Sequence, residues 1–278
     1  MSVLRAFFLF VILLVTTRSW ASKPLPEWIA TPDAMGMAYQ PLTLHTPDHA
    51  TLAAWLVAPM KGSIAQRTTL VLAGSDYGNM SYQLFQAKAL AQAGYRVLLF
   101  DYRGFGHSSA FPIDRNQLYY QEFVTDVRTA VRAMRWRFLR ERVGLIGYSM
   151  GTILGSTVAA STRLDCLITD SYLGDLPAVA ARQLATTQRV VTFPPEASKY
   201  PQIAPRVNCP WLLIAGTQDA QAPLADSTAV AHAARPQQHR QVLPVACGHL
   251  GAMQVLTEQE YGDAYTRAIT QFLAGARP

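Results

Sequence analysis

The stretch "GLIGYSMGTILG", residues 144–155, sets a serine between two glycines where a strand-like apolar run gives way to a helix-like one. Two accounts of Ser149 are open. As a cap, its side-chain oxygen would hold a helix N-terminus. As a nucleophile, its hydroxyl would be raised on a sharp strand-to-helix turn. The glycines separate the two. A turn this tight brings positions 147 and 151 against the adjoining strand and helix, where side chains would collide. Gly147, Gly151 and, one turn later, Gly155 leave that room. A cap does not need a glycine on each side, so the nucleophile is the favoured reading.

Working outward, the sequence alternates between two rhythms. Thr69–Ala73 and Arg96–Phe100 read as strands buried on both faces. Val143–Ile146, Cys166–Thr169, Trp211–Ala215 and Arg240–Leu243 read as further strands. Between and after them, Tyr82–Ala93, Glu122–Phe138, Met150–Ala160, Pro223–Ala234 and Glu258–Ala274 read as helices. Leu42–His45 and Thr51–Ala58 alternate like a hairpin turning at Pro47 and Asp48. The pattern predicts an α/β fold with a mainly parallel central sheet, an N-terminal antiparallel hairpin, and helices on both faces. Ligands in such sheets bind beyond the carboxyl ends of the strands. Residues that carry chemistry are therefore expected just after strands.

A serine hydroxyl needs a base within hydrogen-bond reach. Of the six histidines, His249 in "PVACGHLGA" alone follows the last strand in a loop of small residues. The base in turn needs a carboxylate to fix its tautomer. Asp219, in "LLIAGTQDAQAP", follows the strand Trp211–Ala215 and is preferred. Asp170, which ends the preceding strand, is the runner-up. Either can also serve as a helix cap.

Ser149, Asp219 and His249 occur in the order serine, acid, histidine. "DYRGFGHSS" (Asp101–Ser109) looks like an Asp-x-Arg-Gly-x-Gly-x-Ser loop. On these residues the chain resembles the α/β-hydrolase superfamily over Gln40–Phe272, closest to its serine-aminopeptidase-like and small esterase or thioesterase branch. The resemblance implies a catalytic triad of Ser149, His249 and Asp219. It also implies an oxyanion held by the backbone N–H groups of Met150 and, by position, Ser75. Members usually carry His-Gly after the third strand, where this chain has Ala73-Gly74; backbone donors do not require the histidine. Asp76 is expected to face solvent or cap a helix, and Asp101 and Arg103 to tie down their own loop. Residues 171–210 form a small lid insertion. Tyr77, Met80, Tyr172 and Leu173 are candidates to line an apolar acyl pocket, and ordinary packing explains each of them equally well.

Composition agrees with one folded domain: 278 residues, half of them apolar and 15% charged. Arg5, the apolar run Ala6–Val15 and the small residues Ser19 and Ala21 have the layout of a signal peptide spanning residues 1–21. That leaves a single domain at 22–278 and predicts an exported, periplasmic protein with no stable membrane span. The alternative is an uncleaved anchor, although ten apolar residues are few for ~30 Å of hydrocarbon. Arg128–Arg142 alternates with apolar residues at helical spacing, which fits a solvated helix face and no nucleic-acid partner. No Cys/His/Asp cluster has metal-ligand spacing.

The chain is thus expected to be a cofactor-free, metal-free exported serine hydrolase. Its partner would be a small-molecule or acyl substrate, as an ester, thioester or amide, with an esterase favoured over a peptidase. A non-catalytic binding protein of the same fold and an acyltransferase are the alternatives. Of the three cysteines, Cys166 and Cys209 open consecutive strands, which are neighbours in the resembling fold. One reading is therefore a Cys166–Cys209 disulfide with Cys247 free; the other is three reduced, buried thiols.

Overall fold

The central strands are buried on both faces because nearly every residue in them is apolar. A computed structural model describes residues 21–276, so the leader read at 1–21 lies outside the described residues except for Ala21. In chain order, β1 (Lys23–Pro24) precedes β2 (Tyr39–His45), β3 (Thr51–Val57), β4 (Thr68–Ala73) and β5 (Tyr77–Gly78). Then come α1 (Leu84–Gln92), β6 (Arg96–Phe100), α2 (Gln121–Arg137), β7 (Arg142–Tyr148), α3 (Met150–Ala159) and β8 (Cys166–Asp170). The remainder is α4 (Leu176–Thr187), β9 (Trp211–Gly216), α5 (Leu224–His232), β10 (Arg240–Val245), α6 (Ala252–Val255) and α7 (Asp263–Gly275).

Eight strands make one sheet in the order β10-β9-β8-β7-β4-β6-β3-β2. All neighbours run parallel except β3 against β6 and β2 against β3. Successive side chains of a strand point to opposite faces, and the core divides accordingly. Leu145, Leu167, Trp211 and Leu213 pack on one face under α2 and α3. Ile146, Ile168, Leu212 and Ile214 pack on the other with residues of α1 and α7.

That alternation corrects the expected disulfide. All three cysteines are free thiols. Leu167 pairs with Trp211, so Cys166 and Cys209 lie near one another, but one register step apart. Cys166 belongs to the face of Ile146 and Leu212, with its sulfur filling the space above Gly144, whereas Cys209 packs against the opposite face. Proximity of the backbones does not bring the sulfurs together. Burial pushes both thiols well up, which keeps them protonated.

Two further boundaries differ from the periodicity. Residues 258–262 form turns, and the last helix begins at Asp263. The Asp263 carboxylate accepts the Glu258 N–H at 2.8 Å, and Gly262 adopts φ +74°. In the Pro-rich lead-in, Lys23–Pro24 adds a short parallel pair to Tyr77–Gly78. After β8 come α4, capped by the Asp175 side chain accepting the Ala178 N–H at 3.0 Å, and a 3₁₀ run at Pro195–Gln202.

The Asp101–Ser109 loop is a structural tie. The Asp101 carboxylate accepts from Trp28 Nε1 at 2.8 Å, Met80 N at 2.7 Å and His107 N at 3.1 Å. Arg103 reaches Asp126 at 2.7 Å and Asp48 at 2.7 Å. The Asp126 side chain is fully buried, and burial raises its pKa even though Arg103 pulls the other way. Removing one partner of such a pair strands the other charge. Arg103→Ala should therefore lose about 3–5 kcal/mol in urea unfolding, a range set by buried ion pairs generally. A loss under about 1 kcal/mol would mean the guanidinium only decorates the loop.

Candidate active site

Ser149 sits between β7 and α3 with φ +50° and ψ −113°, a conformation sparsely populated by L-residues. Such a backbone persists only where its surroundings over-determine it. Here a Cβ on Gly147 would strike the Gly151 carbonyl, and a Cβ on Gly151 would strike the Ala73 carbonyl of β4. The helix thus starts in contact with the neighbouring strand, which is why both flanking positions are glycine. The Ser149 N–H donates to the Asp170 carbonyl at 3.1 Å. Ser149 is no cap, since its side chain makes no bond to the helix N-terminus.

The hydroxyl points to His249 instead. Ser149 Oγ lies 2.9 Å from His249 Nε2, and His249 Nδ1 lies 2.8 Å from Asp219 Oδ2. The other carboxylate oxygen, Oδ1, accepts the N–H groups of Gln221 and Ala222, each at 2.9 Å. Burial pushes the Asp219 carboxyl up, but the hydrogen bond and charge of His249 and these two amides outweigh it. The net result lies below the usual carboxylate range. The two loops are also tied to each other, with Gln218 N–H donating to the Cys247 carbonyl at 3.0 Å.

Asp170, the runner-up, occupies a different environment. It is buried at the end of β8 and accepts the Tyr265 hydroxyl at 3.1 Å. Burial drives its pKa up to about 7; the Tyr265 hydrogen bond and the nearby His249 oppose that, and the Asp219 charge adds to it. One carboxyl is thus held ionised against the imidazole while the other keeps its proton near neutrality.

The two proposed oxyanion donors lie at adjoining strand ends. Ser75 follows β4 by two residues and Met150 opens α3, in contact range because Gly151 abuts Ala73 and Gly74. Among the described residues neither N–H has an acceptor. Asp76, expected to face solvent or cap a helix, does neither. It pairs with Arg189 from the end of the lid, at 2.5 Å, and the same guanidinium reaches the Ala21 carbonyl.

The acyl pocket expected from Tyr77, Met80, Tyr172 and Leu173 is corrected in three of its four members. Met80, Tyr172 and Leu173 are core residues, 2%, 2% and 3% exposed. Tyr172 stands edge-on to Trp211 at 5.3 Å, and Met80 lines a cavity of about 10 Å³, room for a water at most. Tyr77 remains at the surface, 47% exposed.

Three residues escaped the sequence reading. Ser171, at φ +60°, accepts the Leu250 N–H at 3.0 Å and so ties the histidine loop to the strand beside the nucleophile. Its place directly after a strand was a usable signal. Tyr265 and Arg189 act across 95 and 113 residues of sequence, and no local pattern marks them.

Comparison with known proteins agrees with the fold. The alpha/beta hydrolase fold family matches residues 68–189. An esterase from Pyrococcus furiosus superposes with a TM-score of 0.75 over 92% of this chain and 98% of its own, at 18% identity. The chain has the α/β-hydrolase fold. Among curated relatives, an uncharacterized membrane protein of Saccharomyces cerevisiae is 34% identical over 35% of this chain and 33% of its own length. An alpha/beta hydrolase domain-containing protein of Caenorhabditis elegans is 30% identical over 44% of this chain. These matches span about a third of each relative, 33% and 34%.

Two carboxylates in unlike surroundings make separable predictions. Asp219→Asn should cut turnover by ~10³–10⁴-fold, the usual penalty for losing the carboxylate on a catalytic imidazole. Asp170→Asn should cost far less; a larger loss there would move the acid to Asp170. Stability supplies the second test. A carboxyl raised from 3.8 to about 7 holds its proton in the fold after the unfolded chain has lost it. Its contribution to stability therefore falls as pH rises through that window. The melting temperature of Asp170→Asn relative to the parent should climb from about pH 4 to about pH 7 and level off above that. A difference that is flat with pH would mean Asp170 does not titrate there.

Proposed function

We propose that this chain is a serine hydrolase that cleaves an ester or thioester through an acyl-enzyme. The observation that carries the reading is the continuous hydrogen-bond chain Ser149–His249–Asp219, with links of 2.9 and 2.8 Å. His249 Nε2 accepts the Ser149 proton as Oγ attacks the substrate carbonyl carbon. Negative charge then moves to the carbonyl oxygen, where the N–H groups of Met150 and Ser75 receive it. One such donor is typically worth ~3 kcal/mol in the transition state. The imidazolium, stabilised by Asp219, gives its proton to the leaving alcohol or thiol, and the carbon–heteroatom bond breaks. Water repeats the sequence and releases the acid.

An ester or thioester is favoured over an amide because no charged side chain stands out beside Ser149 to anchor a peptide amine. The esterase of similar fold is consistent with this preference. We also place the work of the protein in an exported compartment, on the strength of the leader-like residues 1–21. Among the described residues no helix is long and apolar enough to cross a membrane.

A fluorophosphonate probe tests the reading directly. The parent chain should label stoichiometrically and Ser149→Ala not at all. Ser149→Ala and His249→Ala should each remove ~10⁴-fold or more of ester turnover, and the double variant should be little worse than either, because the residues act as a unit. Absence of labelling would make the chain a binding protein built on a hydrolase fold. Losses that multiply would dissociate His249 from Ser149.

A further inference from the structure

The edge of the sheet opposite Ser149 carries a basic face. An open groove of about 890 Å³ lies at the amino ends of the strands, lined by Arg67, Arg135, Leu139, Arg140, Arg142 and Arg163. Its two acids are already committed, Glu141 to Arg96 and Asp165 to Arg135. Among the described residues, Arg67, Arg140 and Arg163 have no carboxylate partner. Arg128, Arg132 and Trp136 follow at four-residue spacing on one side of α2, where Arg128 and Arg132 line a second groove together with Asp48, itself paired with Arg103. Neither Arg128 nor Arg132 is ion-paired.

A solvated helix face accounts for the arginines alone. It does not account for what stands among them: Trp136 is 79% exposed and Leu139 is 78% exposed, three positions apart. Apolar side chains scattered singly need no explanation. An indole and a leucine, both exposed in a segment rich in guanidinium groups without carboxylate partners, combine two preferences that meet at one kind of surface. Indole favours the boundary between water and hydrocarbon, and guanidinium pairs bidentately with phosphate.

We infer that this face docks on an anionic lipid bilayer, with the arginines against lipid phosphates and Trp136 and Leu139 entering the headgroup layer. A nucleic acid would use the same arginines but gains nothing from an exposed leucine. Each arginine brought to an anionic surface is worth roughly a fivefold gain in affinity, so the five unpaired ones suffice for reversible binding. The catalytic edge then faces away from the bilayer and takes its substrate from the aqueous side. The inference does not depend on the hydrolase reading.

The test uses the full chain, so that residues 1–21 are common to every protein compared. Binding is measured on vesicles of phosphatidylglycerol with phosphatidylcholine, and on phosphatidylcholine alone. The parent should prefer the anionic vesicles, the more so at low salt. Arg132→Glu with Arg140→Glu should weaken that binding by about tenfold or more. Trp136→Ser with Leu139→Ser should weaken it several-fold, with an unchanged melting temperature as the control for folding. Variants that bind anionic vesicles within about twofold of the parent overturn the proposal. So does equal binding to a single-stranded DNA probe that ignores the Trp136→Ser, Leu139→Ser change. In the parent itself, amide exchange across residues 128–142 should slow on anionic vesicles; protection confined to other segments overturns the proposal whatever the variants do.

Discussion

The backbone at Ser149 is held in a left-handed conformation by two close approaches, and the rest of the site is arranged around that turn. Gly151 lies against the last carbonyls of β4, and Gly147 against the first turn of α3. Because β4 and β7 are paired neighbours in a parallel sheet, this contact also sets where the Ser75 and Met150 N–H groups stand. A strained residue costs of the order of 1–3 kcal/mol. The buried sheet on either side supplies the rigidity that maintains it, since β4, β7 and β8 have no exposed residue in their apolar spans.

Electrostatics then distinguishes two carboxylates that chain position alone leaves nearly equivalent. Both follow neighbouring parallel strands, and both are buried. Asp219 receives two amides and an imidazole, so its charge is solvated by the protein. Asp170 has the Tyr265 hydroxyl, and burial dominates. Unlike environments acting on like groups are how a fold separates acid and base roles. Here burial raises Asp170 while donors lower Asp219, so the two carboxyls beside the imidazole ionise at different pH.

The loop around the oxyanion position shows a third kind of control. Asp76 stands one residue from Ser75, where an unpaired carboxylate would oppose a developing negative charge. Arg189 at the lid end neutralises it and also binds the Ala21 carbonyl, so the lid, the loop and the start of the described chain are fastened at one guanidinium. At the other end of the strands the charges are arranged differently, with guanidinium groups outnumbering the acids that could pair with them. The two ends of the sheet are therefore chemically distinct surfaces.

Local pattern was enough for everything that depends on the period of the chain or on its position after a strand. The alternation of apolar runs with helical spacing, the glycines at 147 and 151, and the small-residue loop at His249 made the α/β sheet and three residues at its carboxyl edge legible from sequence. The tie made by Asp101 and Arg103 was legible from a motif. What depends on which face a side chain occupies was not. Cys166 opens β8, but Cys209 lies two residues before β9, and the two pack on opposite faces of the sheet. Met80, Tyr172 and Leu173 have the polarity of pocket residues, but the same apolar character buries them in the core. Tyr265 and Arg189 act through contacts between segments about a hundred residues apart, and Asp170 is distinguished from Asp219 only by how many donors surround each. Periodicity is a property of neighbours in sequence; partnership and burial are properties of neighbours in space, and only the folded chain decides them.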